Sequence, residues 1–432
     1  MAHQQNAAGK KTHRARWIVV GVVVVLAVVA GTFSHFGGFG TGPSADPDEL
    51  AAYAQGVDDI AVPDGVKVVA LGEATHGNSE FQQLKLDVFK VLVEKYGVRA
   101  FALEGDFGGC EVVNRFIHGE SDTSQGTVAS IGYDEATAAI GFTIYRTDEM
   151  ADLVAWMRAY NETAPPGEDL RFYGFDMQRG AHNLAYLIEA CKNHGVDVAR
   201  LHSLTSGEER SDAYSWDERI AIISAVRQEL ADDGASAHEL HFADVLLQHC
   251  TYYQAMETES SGDSNLRRDA MMADNIHWIS EQEQMLGHSM LFVSAHNGHV
   301  AKTSYESMGN FLARDFGESY YVIGTDFYHT TCNMPFMNSR FDFGFYSYDP
   351  LAKAAKTAGL DVCWLDFSKV PADSKLGKTY SSYMYMGSLG EGYSPLMLVL
   401  PMAYRVYQCP SIWYDSLILV SEATPISPKL AW

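Results

Sequence analysis

Glu73 and His76, three residues apart in Gly72-Glu73-Ala74-Thr75-His76-Gly77, place a carboxylate beside an imidazole, and Lys85 adds an ammonium nine positions further on. Such a set suits general-base activation of water, in which an imidazole takes the proton while a carboxylate fixes its tautomer and stabilises the imidazolium. A second set of the same kind follows. Glu104 closes Phe101-Ala102-Leu103-Glu104, and Ser294-Ala295-His296-Asn297-Gly298-His299 carries two further imidazoles. Glu73, His76, Glu104 and His296 could equally hold a divalent metal, and spacing alone leaves both chemistries open. Other routes lack their signatures: the chain has no G-x-S-x-G nucleophile elbow and no H-E-x-x-H zinc helix. None of Cys110, Cys191, Cys250, Cys332, Cys363 and Cys409 sits in an activating context; a hydrophobic free cysteine is the simplest reading of each, while export would permit disulfides that the sequence does not require.

The elements that must position these groups are legible. Val66, Val68, Val69, Ala70 and Leu71 form an apolar, β-branched run, the pattern of a strand buried on both faces, ending at about Gly72. Asn78 or Ser79 can cap the next helix, Ser79 with Gln82 fits a capping box, and Gly97 stops the helix after Tyr96. On it Phe81, Leu84, Val88, Phe89 and Leu92 make a core-facing stripe with Lys85 in its middle. A lysine there must snorkel outward or meet a carboxylate, because an unpaired buried ammonium is too costly; Glu73 and His76 upstream favour the paired alternative.

Further apolar runs end in polar residues: Val98 to Leu103 at Glu104, Leu170 to Phe175 at Asp176, Met290 to Ala295 at His296, and Tyr320 to Thr325 at Asp326. Helical patterns lie between them, which predicts an α/β fold with a mainly parallel central sheet flanked by helices. Ligands of such sheets bind beyond the strand carboxyl ends, so Glu73, His76, Glu104, Asp176, His296 and Asp326 are expected around one crevice. From about 180 to 285 the chain reads as a helical insertion over those ends, clearest at Arg219–Leu230, His238–Glu257 and Asn265–Gln284. Arg268, Met272 and Asn275 share one face there, and Arg268 could pair with Glu73 or Glu104 or meet a developing oxyanion. His238-Glu239-Leu240-His241 reads as structural, on an exposed face.

The 432 residues, 47% hydrophobic and 12% aromatic, can bury a substantial core. With 31 basic against 55 acidic residues the net charge is -24, which argues against nucleic acid or anionic lipid bound through a broad basic patch. Trp17 to Phe33 is an apolar run preceded by Lys10, Lys11, His13, Arg14 and Arg16. It reads as a signal peptide, with Val28-Val29-Ala30 as a cleavage region, or as a signal anchor, and either way the remainder is exported. The expected organisation is therefore residues 1–47 as signal or anchor plus a Gly/Pro/Ser-rich tether, then a catalytic domain over 48–432.

The ordered segments resemble the erythromycin esterase family. Gly72 to Gly77 with Phe81 and Lys85, then Phe101 to Glu104, are similar to its first two motifs. Phe116-Ile117-His118-Gly119, Tyr173-Gly174-Phe175-Asp176, Arg268 to Asn275, and Ala295 to Lys302 follow in family order. The resemblance implies a hydrolase that opens a macrolactone without a covalent serine intermediate. His76 would activate water, Glu73, Glu104, His296 and Lys85 would complete the catalytic set, and Arg268, Asn275, His299 and Asp176 would contact substrate. It implies no cofactor, although a distant likeness to metal-dependent membrane proteases and haem-binding proteins keeps a metal as the alternative. A small bulky ester, which an acidic surface favours when it carries an amine, is the expected partner, with the membrane engaged through the N-terminal segment if that stays uncleaved. Lys85 stands where some members have arginine.

Overall fold

The structure of the chain, a computed structural model, describes residues 43–429 except 121–130, 206–213 and 304–305, together with Val20, Gly21, Val23 and Val24. The Trp17–Phe33 segment read as signal or anchor otherwise lies outside the described residues. Among the described residues, no helix is long and apolar enough to cross a membrane.

Ten strands are described: β1 Val68–Glu73, β2 Ala100–Asp106, β3 Arg171–Asp176, β4 Leu291–His296, β5 Tyr320–Phe336, β6 Ser339–Tyr346, β7 Val362–Asp366, β8 Met384–Gly387, β9 Arg405–Gln408 and β10 Ser416–Ala423. The central sheet runs β3-β2-β4-β1-β5-β10-β7, with β6 paired to the outer part of β5, and β8 and β9 form a separate pair. Neighbours from β3 to β10 are parallel, whereas β7 and β6 pair antiparallel. The α/β architecture with a mainly parallel sheet is thus the one the sequence predicts.

Period-two alternation divides each central strand between two cores. Val68 and Ala70 face one layer with Leu291, Val293, Tyr320 and Val322, while Val69 and Leu71 face the other with Phe292, Tyr321 and Ile323. The helix Ser79–Tyr96 covers the second face and ends at Gly97, whose φ of 67° is the left-handed conformation glycine adopts freely. Its Phe89 ring packs 5.5 Å from Phe101 and 5.7 Å from Phe292, tying the helix to β2 and β4. Leu84, Val88, Phe89 and Leu92 are all buried, each worth about 1.5–3 kcal/mol.

The capping box expected at this helix does not form. Asn78 occupies the N-cap with no capping bond, because its Oδ1 accepts instead from the Thr75 and Thr330 hydroxyls while its amide donates to the carbonyls of Thr331 and Thr424 at 2.8 and 2.9 Å. The Ser79 hydroxyl goes instead to Glu149, and the Gln82 side chain turns toward Lys85. Between β3 and β4 the chain is helical at Ala181–His194, Ala199–Thr205, Trp216–Asp232, Ala237–Thr258 and Ser261–Met285. His241, read as exposed, is buried and stacks on Trp278 at 3.9 Å, while His238 lies 3.3 Å from Glu111. All six cysteines are buried and free.

Candidate active site

Strand register assembles the site. Glu73 at the end of β1 is the cross-strand partner of His296 at the end of β4, and Leu103, just before Glu104, pairs with Ser294. Gly72 is needed for this close approach: a Cβ there would fall 2.2 Å from Asn297 Oδ1 and 3.0 Å from Val300. Asn297 in turn donates to the Thr325 carbonyl at 2.7 Å, while Thr325 Oγ1 accepts from the Ala74 amide at 2.8 Å. The turn bearing His76 is thereby fixed to both neighbouring strands.

Glu73 is divided between two partners. Oε1 lies 2.6 Å from His76 Nδ1 and Oε2 accepts from Lys85 Nζ at 2.6 Å. Lys85 is fully buried and spends its remaining donors on Gln82 Oε1 at 3.0 Å and the Phe81 carbonyl at 3.4 Å, so all three N–H groups are used. Burial raises the proton affinity of Glu73 more than any other single influence, but the charges of Lys85 and His76 together outweigh it and hold the carboxyl at about 2. The same carboxylate acts on His76: burial lowers its pKa, yet the Glu73 charge and hydrogen bond, with Glu104 and Glu391, leave it raised. An ionised Glu73 requires a proton on His76 Nδ1, which leaves the Nε2 lone pair as the base.

Glu104 is the second centre. Its Oε1 accepts from Arg268 Nη2 at 2.8 Å and lies 3.3 Å from His299 Nε2, and its Oε2 accepts from the His296 backbone amide at 3.0 Å. Burial opposes ionisation, but His299 and Arg268 overcome it and the carboxyl sits far below its ordinary range. Arg268 is also gripped by Asp176 at 2.6 Å, and Asp269 accepts from His299 Nδ1 at 2.7 Å. His299 is raised despite burial, through Glu104 and Asp269.

His296 behaves oppositely to His76 although their rings are 4.9 Å apart. Burial, followed by the neighbouring His76 and His299, pushes it down to about 3. Its Nδ1 accepts from the Gly298 amide at 3.2 Å, which assigns the neutral ring's proton to Nε2. That Nε2–H is buried and has no partner among the described residues. A neutral, unspent donor beside a basic imidazole is what a developing oxyanion would require.

Glu73, His76, Lys85, Glu104, Asp176, Arg268, His296 and His299 thus form one connected group. Two residues expected with them do not join it. Asn275 is fully buried and spends its amide on the Phe175 carbonyl at 3.0 Å and on Gln248, so it braces β3 and offers nothing to a substrate. Asp326 points into a separate polar pocket, where it accepts from the Gly387 amide and from Ser347 Oγ at 3.2 Å beside Asp349. Asp176 belongs to the cluster but is fully buried on Arg268, which makes it that arginine's anchor.

The structure adds residues that the sequence reading passed over. Asp269, adjacent to Arg268, orients His299, and Gln82 bridges Lys85 and Glu73. Tyr145, fully buried, places its ring 5.8 Å from Lys85 Nζ, and its hydroxyl has no partner among the described residues. Asp269 lies in a segment already noted for its charges, whereas Tyr145 sits in a short 3-10 turn with no periodic signal. A cleft of about 610 Å³ opens on Arg268, Asp269, His299, Asn265, Leu266 and Glu306.

The donor set does not fit a metal centre in this arrangement. Each carboxylate already meets a cationic side chain, and the Lys85 ammonium would repel a divalent ion at Glu73. Among the described residues, no three His, Cys, Asp or Glu side chains gather closely enough to hold one.

Comparison with known proteins places this geometry. The sequence model of the erythromycin esterase family, described as "Erythromycin esterase", matches residues 93–423, taking in Glu104 and the 296–299 segment and beginning after Lys85. The chain is 24% identical over 358 residues to erythromycin esterase type II of Escherichia coli, covering 71% of this chain and 82% of that one. Among solved structures, a Bacillus cereus protein and a succinoglycan biosynthesis protein each superpose with a TM-score of 0.71, at 20% and 18% identity over 89% of this chain and 100% and 98% of theirs. A mutant of the erythromycin esterase EreC in its open conformation gives 0.56 at 17% identity, covering 83% of this chain and 91% of that one. With its family match spanning most of the sequence, this chain belongs to the erythromycin esterase family of esterase-type hydrolases.

Proposed function

We propose that the chain hydrolyses a bulky carboxylic ester, a macrolactone being the best-fitting class, through water activated by His76 and without a covalent intermediate. The observation that carries this reading is the 2.6 Å contact between His76 Nδ1 and the ionised Glu73, which commits Nε2 to act as base. Water gives its proton to Nε2 as its oxygen attacks the ester carbonyl carbon. The oxyanion accepts a hydrogen bond from His296 Nε2–H, the C–O bond breaks, and the His76 proton passes to the departing alkoxide. A lactone then gains one water and becomes a hydroxy acid.

Lys85 and Arg268 keep Glu73 and Glu104 ionised, and Asp269 with Glu104 aims His299 at the cleft. The cleft volume suits a drug-sized ligand. The acidic side chain of Glu306 on the cleft, together with the net charge of -24, favours an amine-bearing substrate.

The test sets wild type against His76→Ala on a panel of macrolactones and simple esters, read by product mass, before and after exhaustive chelation. The proposal expects addition of one water by wild type alone, unchanged by chelation. Activity that vanishes with the chelator and returns with one metal would replace the mechanism, and equal inertness of both proteins would remove the hydrolase reading.

A further inference from the structure

The segment from Ser381 to Trp413 differs from the rest of the chain in charge. It holds one acidic and one basic residue, Glu391 and Arg405, where the chain's average of 55 acidic residues in 432 would place about four acidic ones in its 33 positions. Both charges are spent locally. Glu391 pairs with Arg340 at 2.9 Å, and Arg405 lies over the rings of Tyr348 and Tyr385 at 5.5 and 5.1 Å. What remains is apolar and outward-facing: Leu396, Leu398, Val399, Leu400 and Met402 are between 45 and 65% exposed. Exposed Tyr383, just before β8, and exposed Tyr407, on β9, lie in the same segment with their rings 5.5 Å apart, the ring types that settle at a lipid headgroup boundary. An apolar run so exposed on a chain of net charge -24 marks an interaction surface.

Two observations identify what covers it. The first is where the N-terminal chain enters the fold. The Ser44 carbonyl accepts from Thr379 Oγ1 at 3.1 Å and Glu49 accepts from the Leu376 amide at 3.0 Å, so the entry point lies on the short helix Lys375–Tyr380 that leads directly into Tyr383 and β8. The apolar Trp17–Phe33 segment is joined to that point by about ten residues, which reach at most about 35 Å. A bilayer that receives the segment is therefore held close to the Ser381–Trp413 face. The second is the lack of net charge on this face, whose single acidic and single basic residue are both engaged within the protein, so that little charge has to be desolvated where it meets a lipid surface.

We infer that the Leu396–Met402 segment docks onto the surface of a neutral lipid bilayer and sinks its apolar side chains into the headgroup boundary. The chain leading into that segment borders the catalytic group, since Leu389 N donates to the Ala74 carbonyl at 2.8 Å and the His76 amide to the Leu389 carbonyl at 3.2 Å. The inference stands independently of the ester reading.

The test uses the full chain in phosphatidylcholine vesicles, with an environment-sensitive fluorophore at Leu398→Cys or, as a control on the helix Ser261–Met285, at exposed Glu281→Cys. Native thiols are all buried and do not compete for label. The 398 label is expected to shift to the blue and to be quenched by doxyl lipid, and the 281 label to do neither. A second full-length protein carrying Leu396→Glu, Leu398→Glu and Leu400→Glu, labelled at Met402→Cys, should lose the quenching that the Met402→Cys label shows in the unsubstituted face. The inference is overturned if the 398 label stays as wet as the 281 label, or if the Met402→Cys label remains as deep in the triple variant. It is also overturned if the blue shift develops without lipid as protein concentration rises, which would make a second copy the occupant.

Discussion

Replacing Lys85 with methionine tests whether the buried charges are one working unit. At 2.6 Å and an effective dielectric constant of about 20, the bare attraction between Lys85 and Glu73 is about 6 kcal/mol, much of it cancelled by the desolvation of both ions. Proton linkage gives an independent figure. Holding Glu73 at about 2 instead of its ordinary 4.5 represents about 3 kcal/mol of stability, at about 1.4 kcal/mol per pKa unit. Because the folded value is depressed, this stability is fully present above about pH 4.5 and is lost as pH falls toward 2. Lys85→Met leaves a buried carboxylate facing only His76 and Gln82, a situation that costs about 3–5 kcal/mol. The deficit against wild type should shrink on acidification, as the unpaired carboxyl takes up a proton.

Urea unfolding at pH 7 and pH 5 measures the deficit, and ester hydrolysis measures its chemical consequence, an expected fall of about 10²–10⁴ as His76 loses its orienting anion. The double variant Lys85→Met, Glu73→Gln should recover most of the stability and none of the activity, since no charge is left unpaired. A Lys85→Met protein as stable as wild type and equally active would refute the reasoning.

The raised proton affinity of His76 predicts that the acid limb of the rate profile lies on the alkaline side of 6.5. A Glu73→Gln variant should show that limb moved to lower pH, as profiles of kcat/KM would reveal. Stability from His76 has the opposite sign to that from Glu73: it is present below about 6.5 and is lost as pH rises through the folded value. Tyr145→Phe removes a buried hydroxyl that has no partner among the described residues, so stability in thermal unfolding should be unchanged or raised by up to about 1–2 kcal/mol, while a fall in kcat/KM would show that the hydroxyl meets substrate. Burial pushes both Asp326 and Asp349 up, Asp349 to about 6, and the Asp349 charge pushes Asp326 further up, while a hydrogen bond with Asp326 offsets part of the rise at Asp349. Stability from this pair is present at low pH and lost as pH rises, so Asp326→Asn should be more stable than wild type at pH 8 and should flatten the pH dependence of unfolding.

What could be read in the sequence was whatever broke a local pattern. Lys85 interrupts an apolar stripe, and Glu104 and His296 end apolar strands, so each is conspicuous without knowledge of its partner. Asn275 misled because its face also carries Arg268, while its actual partner Gln248 sits on another helix at no predictable spacing. Asp326 ends an apolar run exactly as Glu104 does, yet its lining comes from Ser347, Asp349 and Gly387, in a region where strands of four to eight residues leave little periodicity to read. The capping box failed for the same reason in reverse. Ser79 and Gln82 satisfy the local rule, but Glu149, Glu73 and Lys85, brought in by the fold, compete for the same polar atoms.

The two central imidazoles show why the pairs of opposite charge matter to the chemistry more than to the fold. His76 and His296 are equally buried neighbours, so desolvation pushes both downward. What separates them is access to a carboxylate. His76 holds Glu73 directly, whereas Glu104 bonds only the backbone amide of His296 and faces Arg268 and His299 with its other oxygen. Divergent proton affinities within 5 Å are the arrangement that lets one ring accept a proton while the other donates a hydrogen bond at the same pH. Lys85 and Arg268 keep that asymmetry in place: with both carboxylates held in the ionised form, neither competes for the proton that the proposed reaction assigns to His76.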